Sequence, residues 1–204
     1  MKKIVALALP LLVLSLLSGC ENKRFFINTK LSLDQVFSVD ETGAFNENGL
    51  IIRDDLLRAF VIPPAAENIE FKIEGMSVRA VVKTENQAPL LKVSALVYDF
   101  TQEQLGVFVD QPIPLAGVDV PFIGLNALIE EGVGKLRNKI NGYLKDFDNT
   151  PLFFVLSGDS QPSGQRIKVD IHVKITGNLK YEICRSTGKF MEGGLDCEDL
   201  GVVR

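Results

Sequence analysis

The chain has 204 residues, with 22 Lys and Arg against 26 Asp and Glu, for a formal net charge of −4. At 46% hydrophobic and 24% charged residues it is too apolar for intrinsic disorder and long enough for one globular domain or two small ones. A mildly acidic chain lacks the positive surface that phosphate backbones require, which excludes nucleic acid as the expected partner.

Met1-Lys2-Lys3 is a short positive start, and Ile4 to Leu17 is an apolar run broken only by Pro10 and Ser15. At about 14 residues the run falls short of the roughly 20 that span a bilayer. It matches the h-region of a secretory signal. Leu17-Ser18-Gly19-Cys20 follows. This order of charge, apolar run, small residues and cysteine resembles the type II signal peptide and lipobox of bacterial lipoproteins. The resemblance covers residues 1–20 and carries no information on the fold beyond them.

What the resemblance implies is specific. Residues 1–19 would be cleaved as a signal peptide, the Cys20 sulfur would take a diacylglycerol, and the new amino group would be acylated. One acyl chain binds a membrane marginally, whereas two or three anchor durably. Loss of Lys2 and Lys3 moves the net charge from −4 to −6, so the lipid rather than a basic patch must hold the body at the membrane. Glu21 stands where an Asp marks inner-membrane retention in enteric lipoproteins. It tilts the expected location toward the outer membrane, facing the periplasm, over the inner one.

Phe25, Ile27, Thr29, Leu31 and Leu33 alternate with Phe26, Asn28, Lys30, Ser32 and Asp34, a period of two that predicts a strand. Residues 20–24 are then the lipidated cysteine and a short tether, reaching roughly 15 Å at full extension. Asp40 to Gly49 is polar and reads as a loop. Asp54 to Phe60 reads as a short helix with Asp54 as N-cap, ended by Pro63-Pro64; a strand over Leu50 to Val61 is nearly as good.

Ile69, Phe71 and Ile73, then Met76, Val78, Ala80 and Val82, form an alternation whose parity changes at Gly75, as an inserted bulge residue would make it. Leu91, Val93, Ala95 and Val97 make the next strand, and Gly106 to Asp110 a short one. Between about 123 and 147 the period changes. Leu125, Ile129, Val133, Leu136, Ile140, Leu144 and Phe147 recur every three or four residues, with Glu130, Glu131, Lys135, Arg137, Lys139 and Lys145 on the other side. That pattern predicts an amphipathic helix packed on the sheets.

Pro151 to Leu156 reads as a strand and Ser157 to Gln165 as a turn. Ile167, Val169, Ile171, Val173 and Ile175 then alternate without fault, and Leu179, Tyr181 and Ile183 keep the same parity beyond Gly177. A two-residue hairpin at Gly177-Asn178 would set core against solvent and is disfavoured. A three-residue turn over Thr176 to Asn178 and one long strand bent at Gly177 both satisfy the pattern. Cys184 and Cys197 match no CxxC or zinc spacing, and export to an oxidising compartment predicts a disulfide between them.

The whole predicts a mainly β chain: an antiparallel β-sandwich of about seven to nine strands with one amphipathic helix, folded as a single domain over 25–204. Groups that carry chemistry are sparse. His172 is the only imidazole; it falls on the polar side of its strand, reads as an exposed surface residue and has no second histidine to share a metal. No Gly-x-Ser-x-Gly elbow, Walker loop or dinucleotide fingerprint is present. Asp146 and Asp148 lack the glycine and distal glutamate of a calcium loop, and Asp196, Glu198 and Asp199 read as charged surface around Cys197. Phe25-Phe26 and Phe153-Phe154 each point one ring away from their own core layer.

No metal or cofactor is therefore expected, and no enzymatic activity; Asp and Glu are plentiful, but nothing selects a hydrolytic pair. The leading expectation is a membrane-anchored interaction or envelope-assembly module with a protein partner in the cell envelope. The alternative is a carrier of lipid or another apolar ligand. In it, Leu125, Ile129, Val133, Leu136, Ile140 and Leu144 would line a cavity between helix and sheet rather than a packing face. Long strands wrapped on a helix are loosely similar to tubular lipid-binding periplasmic lipoproteins, without a shared motif.

Overall fold

The computed structural model describes residues 20–115, 120–145, 147–188 and 195–197. Residues 1–19, Asp146, Glu198 and Asp199 lie outside that range, and the side chains of residues 20–22, 186–188, 195 and 196 are likewise not described. The described residues form nine strands and two helices. In chain order these are β1 (Cys20–Thr42), β2 (Ala44–Ile51), α1 (Arg53–Phe60), β3 (Ala66–Val82), β4 (Leu90–Tyr98) and β5 (Leu105–Pro114). β6 (Ile123–Gly124), α2 (Glu130–Leu144), β7 (Leu152–Gln161), β8 (Arg166–Gly188) and β9 (Leu195–Asp196) complete the series.

The strands make two sheets, ordered β6-β3-β8-β1-β9 and β2-β7-β4-β5. Seven strands are long, and β6 and β9 have two residues each. The chain divides into two compact units. Of the described residues, one holds those up to Ile27, Pro63–Asn68 and those from Tyr181 on; the other holds those within Asn28–Ile62 and Ile69–Lys180.

In the first unit, β1 already includes Cys20 to Arg24, ahead of Phe25. The reason is a partner that no periodicity could announce: Lys23 and Arg24 pair antiparallel with Asp196 and Leu195 of β9. Cys184 and Cys197 stand at disulfide distance, their Cα atoms 6.1 Å apart. Arg24 is buried, with Nη1 donating to Glu182 Oε2 at 2.7 Å. The Asn68 side chain and then Arg24 hold the Glu182 carboxyl below its usual range.

The bridge closes a separation of 13 residues, for which loop-closure entropy is worth on the order of 3 kcal/mol. Cys197→Ser should therefore lower the urea midpoint and strip exchange protection from Lys23 and Arg24. An unchanged midpoint would show that the pair contributes nothing to stability.

In the second unit, alternation builds the core as expected. Leu91, Val93, Ala95 and Val97 of β4 face inward, as do Ile167 to Ile175 of β8 and Phe37 and Val39 of β1. Rings of Phe37 on β1 and Phe154 on β7 meet at 5.9 Å, joining the inner faces of the two sheets in a β-sandwich. On β3 the buried parity passes from Phe71 to Met76, Val78 and Ala80, a change that spans Gly75.

Several expected boundaries move. The loop assigned to Asp40–Gly49 is mostly strand: β1 continues to Thr42 and β2 pairs with β7 along its length. Between Ala44 and Gly49 its inward face holds Phe45, Glu47 and Gly49, too little apolar surface to show as alternation. Gly49 is required there, since a Cβ would stand 2.9 Å from the Phe37 ring. Helix α1 forms, but Ile52 occupies the N-cap in extended conformation with no side-chain cap, so Asp54 lies inside the first turn. Strand β5 runs to Pro114, well past Asp110, because it is an edge strand whose missing proline N–H groups face no neighbour in the sheet. Strand β7 runs to Gln161, into the segment read as a turn.

Strand β8 is continuous from Arg166 to Gly188, so the segment is one long strand and not a hairpin. Gly177 marks a close crossing instead of a turn. A Cβ there would lie 2.6 Å from the Phe71 ring and nearer still to the Lys72 carbonyl oxygen.

Candidate functional site

Helix α2 begins at Glu130, later than the pattern from 123 predicts. Ile123 and Gly124 pair with β3 instead, and the Leu125 N–H donates to the Met76 carbonyl. Leu125 thus enters the core from extended chain. Ile129 is the N-cap, and its N–H donates to the Val107 carbonyl on β5 at 2.8 Å. The helix also ends before Phe147, which is 84% exposed.

Two features seat α2. Gly132 lies directly on the backbone of β5, where a Cβ would come within 2.6 Å of the Gly106 carbonyl carbon. Asn141 lies beside β3, accepting from the Phe71 N–H at 2.7 Å and donating to the Phe71 carbonyl at 2.9 Å. Its amide satisfies both backbone groups of one residue, as a neighbouring strand would. The helix C-terminus has no basic residue of its own in the last turn. Arg53 of α1 supplies one, donating from Nε to the Tyr143 carbonyl at 3.0 Å.

Val133, Leu136, Ile140 and Leu144 are buried, Leu136 and Ile140 completely, and Leu125 is buried as well, its backbone held on β3. Ile129 is half-buried, its side chain over Gly106. The apolar stripe is thus occupied by packing. Tyr143 is fully buried on the same helix, donating its hydroxyl to the Thr150 carbonyl at 2.6 Å and to that of Ile51 at 3.1 Å. Burial pushes its phenol above the usual range.

The polar flank of α2 lines an open cleft of about 630 Å³ with Asp99, Glu103, Glu130, Glu131, Lys135 and Lys139. Its two lysines are engaged by carboxylates. Lys135 Nζ sits 3.3 Å from Asp99 and donates to the Glu103 carbonyl at 3.2 Å. Hydrogen bonds from Thr101, then Lys135, pull the Asp99 carboxyl down to about 2. Lys139, although buried, donates to Asp148 at 2.6 Å, and Asp148 also accepts from the Thr150 N–H and hydroxyl. Burial raises the Asp148 carboxyl, but Lys139 and Thr150 outweigh it and leave it below the usual range. Among the described residues no three His, Cys, Asp or Glu groups converge as a metal site.

His172 is less exposed than its polar-side position predicts. It keeps 17% of its side-chain surface, with Nδ1 3.2 Å from Asp34 and the Phe122 ring 6.5 Å away, edge to face. Among the described residues no hydroxyl bonds its other nitrogen. On the same face Arg166 and Lys168 share Asp40 and Glu85, and Lys83 pairs with Asp170. Arg166 first lowers the Asp40 carboxyl, and Lys168 first lowers that of Glu85.

The phenylalanine pairs divide between layers. Phe154 is core, while Phe153 lies on the outer face of its sheet, stacked on Tyr98 at 4.9 Å, with Phe100 edge-on at 6.4 Å. Phe26 is 64% exposed. Sequence reasoning missed Phe122, which approaches Arg79 at 4.7 Å and Lys174 at 5.0 Å. It sits in a short extended segment with no period to mark it.

No family model matches the chain, and no curated protein matches it. Among solved structures it is similar to a decameric BFDV capsid protein at 15% identity and a TM-score of 0.39, over 77% of this chain and 99% of that one. A structure of infectious bursal disease virus Gx strain matches at 13% identity and a TM-score of 0.26, over 80% of this chain and 38% of that one. At TM-scores below 0.5 neither likeness bears on what this chain does. Among the described residues no helix is long and apolar enough to cross a membrane.

Proposed function

We propose that the chain is a bacterial lipoprotein, held at the membrane by lipid on Cys20, that works by binding in the cell envelope rather than by catalysis. The observation that carries this reading is the position of Cys20. The lipobox cysteine lies within β1, so no leash separates the lipid from a paired strand. A chain built to search at a distance would carry a long flexible linker there. This one presents its surface close to the bilayer, which suits a partner that is itself in the envelope. The outer membrane, facing the periplasm, is the favoured location.

A binding role also accords with the cleft beside α2, where Lys135 and Lys139 are engaged by carboxylates. The buried stripe of α2 leaves Val133, Leu136, Ile140 and Leu144 no free surface for an apolar ligand, which favours the interaction module over the carrier.

The test is fractionation and labelling of the full chain in a bacterial host. Cys20→Ala should abolish palmitate labelling and move the protein from the membrane to the soluble fraction, or trap it as uncleaved precursor. Labelling that persists in the variant would sink the anchor. Crosslinking of the anchored wild type should recover a specific envelope protein, and recovery of none would sink the assembly role.

A further inference from the structure

The geometry points to a binding site for a phosphate group on the outer face of the five-stranded sheet, between Arg79 and Lys174 beside Phe122. Arg79 is on β3 and Lys174 on β8, neighbouring strands of that sheet. The pairing of Ser77 with Gly124 and Val78 with Ile123 brings Phe122 level with Arg79. The ring then takes the Arg79 guanidinium at 4.7 Å and the Lys174 ammonium at 5.0 Å.

What sets these two cations apart is the absence of an anion. His172, at the edge of the same Phe122 ring, has Asp34, and further along the face Arg166, Lys168 and Lys83 each have a carboxylate. Among the described residues neither Arg79 nor Lys174 has one. Exposed lysines such as Lys72 and Lys180 can stay unpaired because water surrounds them, but Arg79 and Lys174 are both half-buried. Arg79 Nε is moreover shielded from solvent with no hydrogen-bond partner. The Phe122 ring offsets part of the charge, yet a π face leaves the ammonium and the outer guanidinium N–H groups to be met by water or a ligand.

A phosphate would complete the site. Its several oxygens suit the guanidinium fork and the ammonium together. Its charge, near −2 for a monoester, balances two cations where one carboxylate would leave a cation over. The same chemistry is offered by free phosphate and by a sugar or glycerol monoester; a phospholipid diester headgroup offers the same oxygens with a single charge.

The experiment is calorimetric titration of the full-length chain, in neutral detergent at low ionic strength, with inorganic phosphate, glycerol phosphate and glycerophosphoglycerol as probes. Saturable binding is expected, together with a phosphate-dependent rise in melting temperature. Arg79→Gln and Lys174→Gln should each weaken binding about tenfold, the loss of one charge-assisted contact. Arg166→Gln, a paired cation on the same face, should leave it unchanged. Preference for the diester would identify a lipid headgroup, and preference for phosphate or the monoester a soluble ligand. No saturable binding to any probe would overturn the proposal. So would unaltered affinity in a folded Lys174→Gln variant, which decides the matter if Arg79→Gln fails to fold.

Discussion

Gly132→Ala should destabilise the protein by about 2 kcal/mol or more, although alanine is the better helix former by about 1 kcal/mol. The reason is steric. At Gly132 a Cβ would meet the backbone of Gly106, 2.6 Å from its carbonyl carbon and 3.0 Å from the Val107 nitrogen. Backbone in a paired strand cannot swing aside as a side chain can, so α2 would have to lift off β5. Gly134, two residues on, separates this from helix propensity. A Cβ there meets only the tip of Arg137 at 3.8 Å, so Gly134→Ala should stabilise by about 0.5–1 kcal/mol. Urea unfolding of the two variants should therefore move in opposite directions; a gain in both would mean that α2 does not rest on β5.

Asn141→Leu should cost about 2–4 kcal/mol, nearly conserving volume while leaving two buried backbone groups without a partner at roughly 1–3 kcal/mol each. Phe71, whose N–H and carbonyl Asn141 serves, is fully buried, so water cannot replace the amide. Asn141→Asp retains the acceptor for the N–H but loses the donor to the carbonyl, and should cost less. The measurement is the unfolding midpoint, with hydrogen exchange at Phe71 as the local readout. Exchange at Phe71 that is unchanged in Asn141→Leu would show that the pairing is not what protects this edge.

How much of this is legible in sequence depends on where each residue finds its partner. β4 and the first half of β8 stand out because every inward position is apolar. β2 does not, because Glu47 and Gly49 occupy inward positions beside Phe45. The helical spacing starts too early because Leu125 and Ile129 continue it while serving extended chain and cap. Parity alone leaves Gly177 open between a bend and a turn, and the crossing of Phe71 and Lys72 decides it. Nothing in one dimension could place Phe122 beside Arg79 and Lys174, since that meeting depends on the β3–β6 register and on a strand far along the chain. The lipobox remains the part of the proposed function that sequence carries alone.

In the anchored protein proposed above, Cys20 is also a mechanical attachment, and β1 is the load path. Ladder hydrogen bonds lie across a strand. A pull on the lipid along β1 would therefore strain many of them together in shear instead of peeling them one at a time. β1 runs from Cys20 to Thr42 with β8 on one side and β9 on the other, and the Cys184–Cys197 bridge ties those two neighbours covalently. Tension arriving from the membrane would be shared by a crosslinked three-strand grip before it reached the rest of the fold.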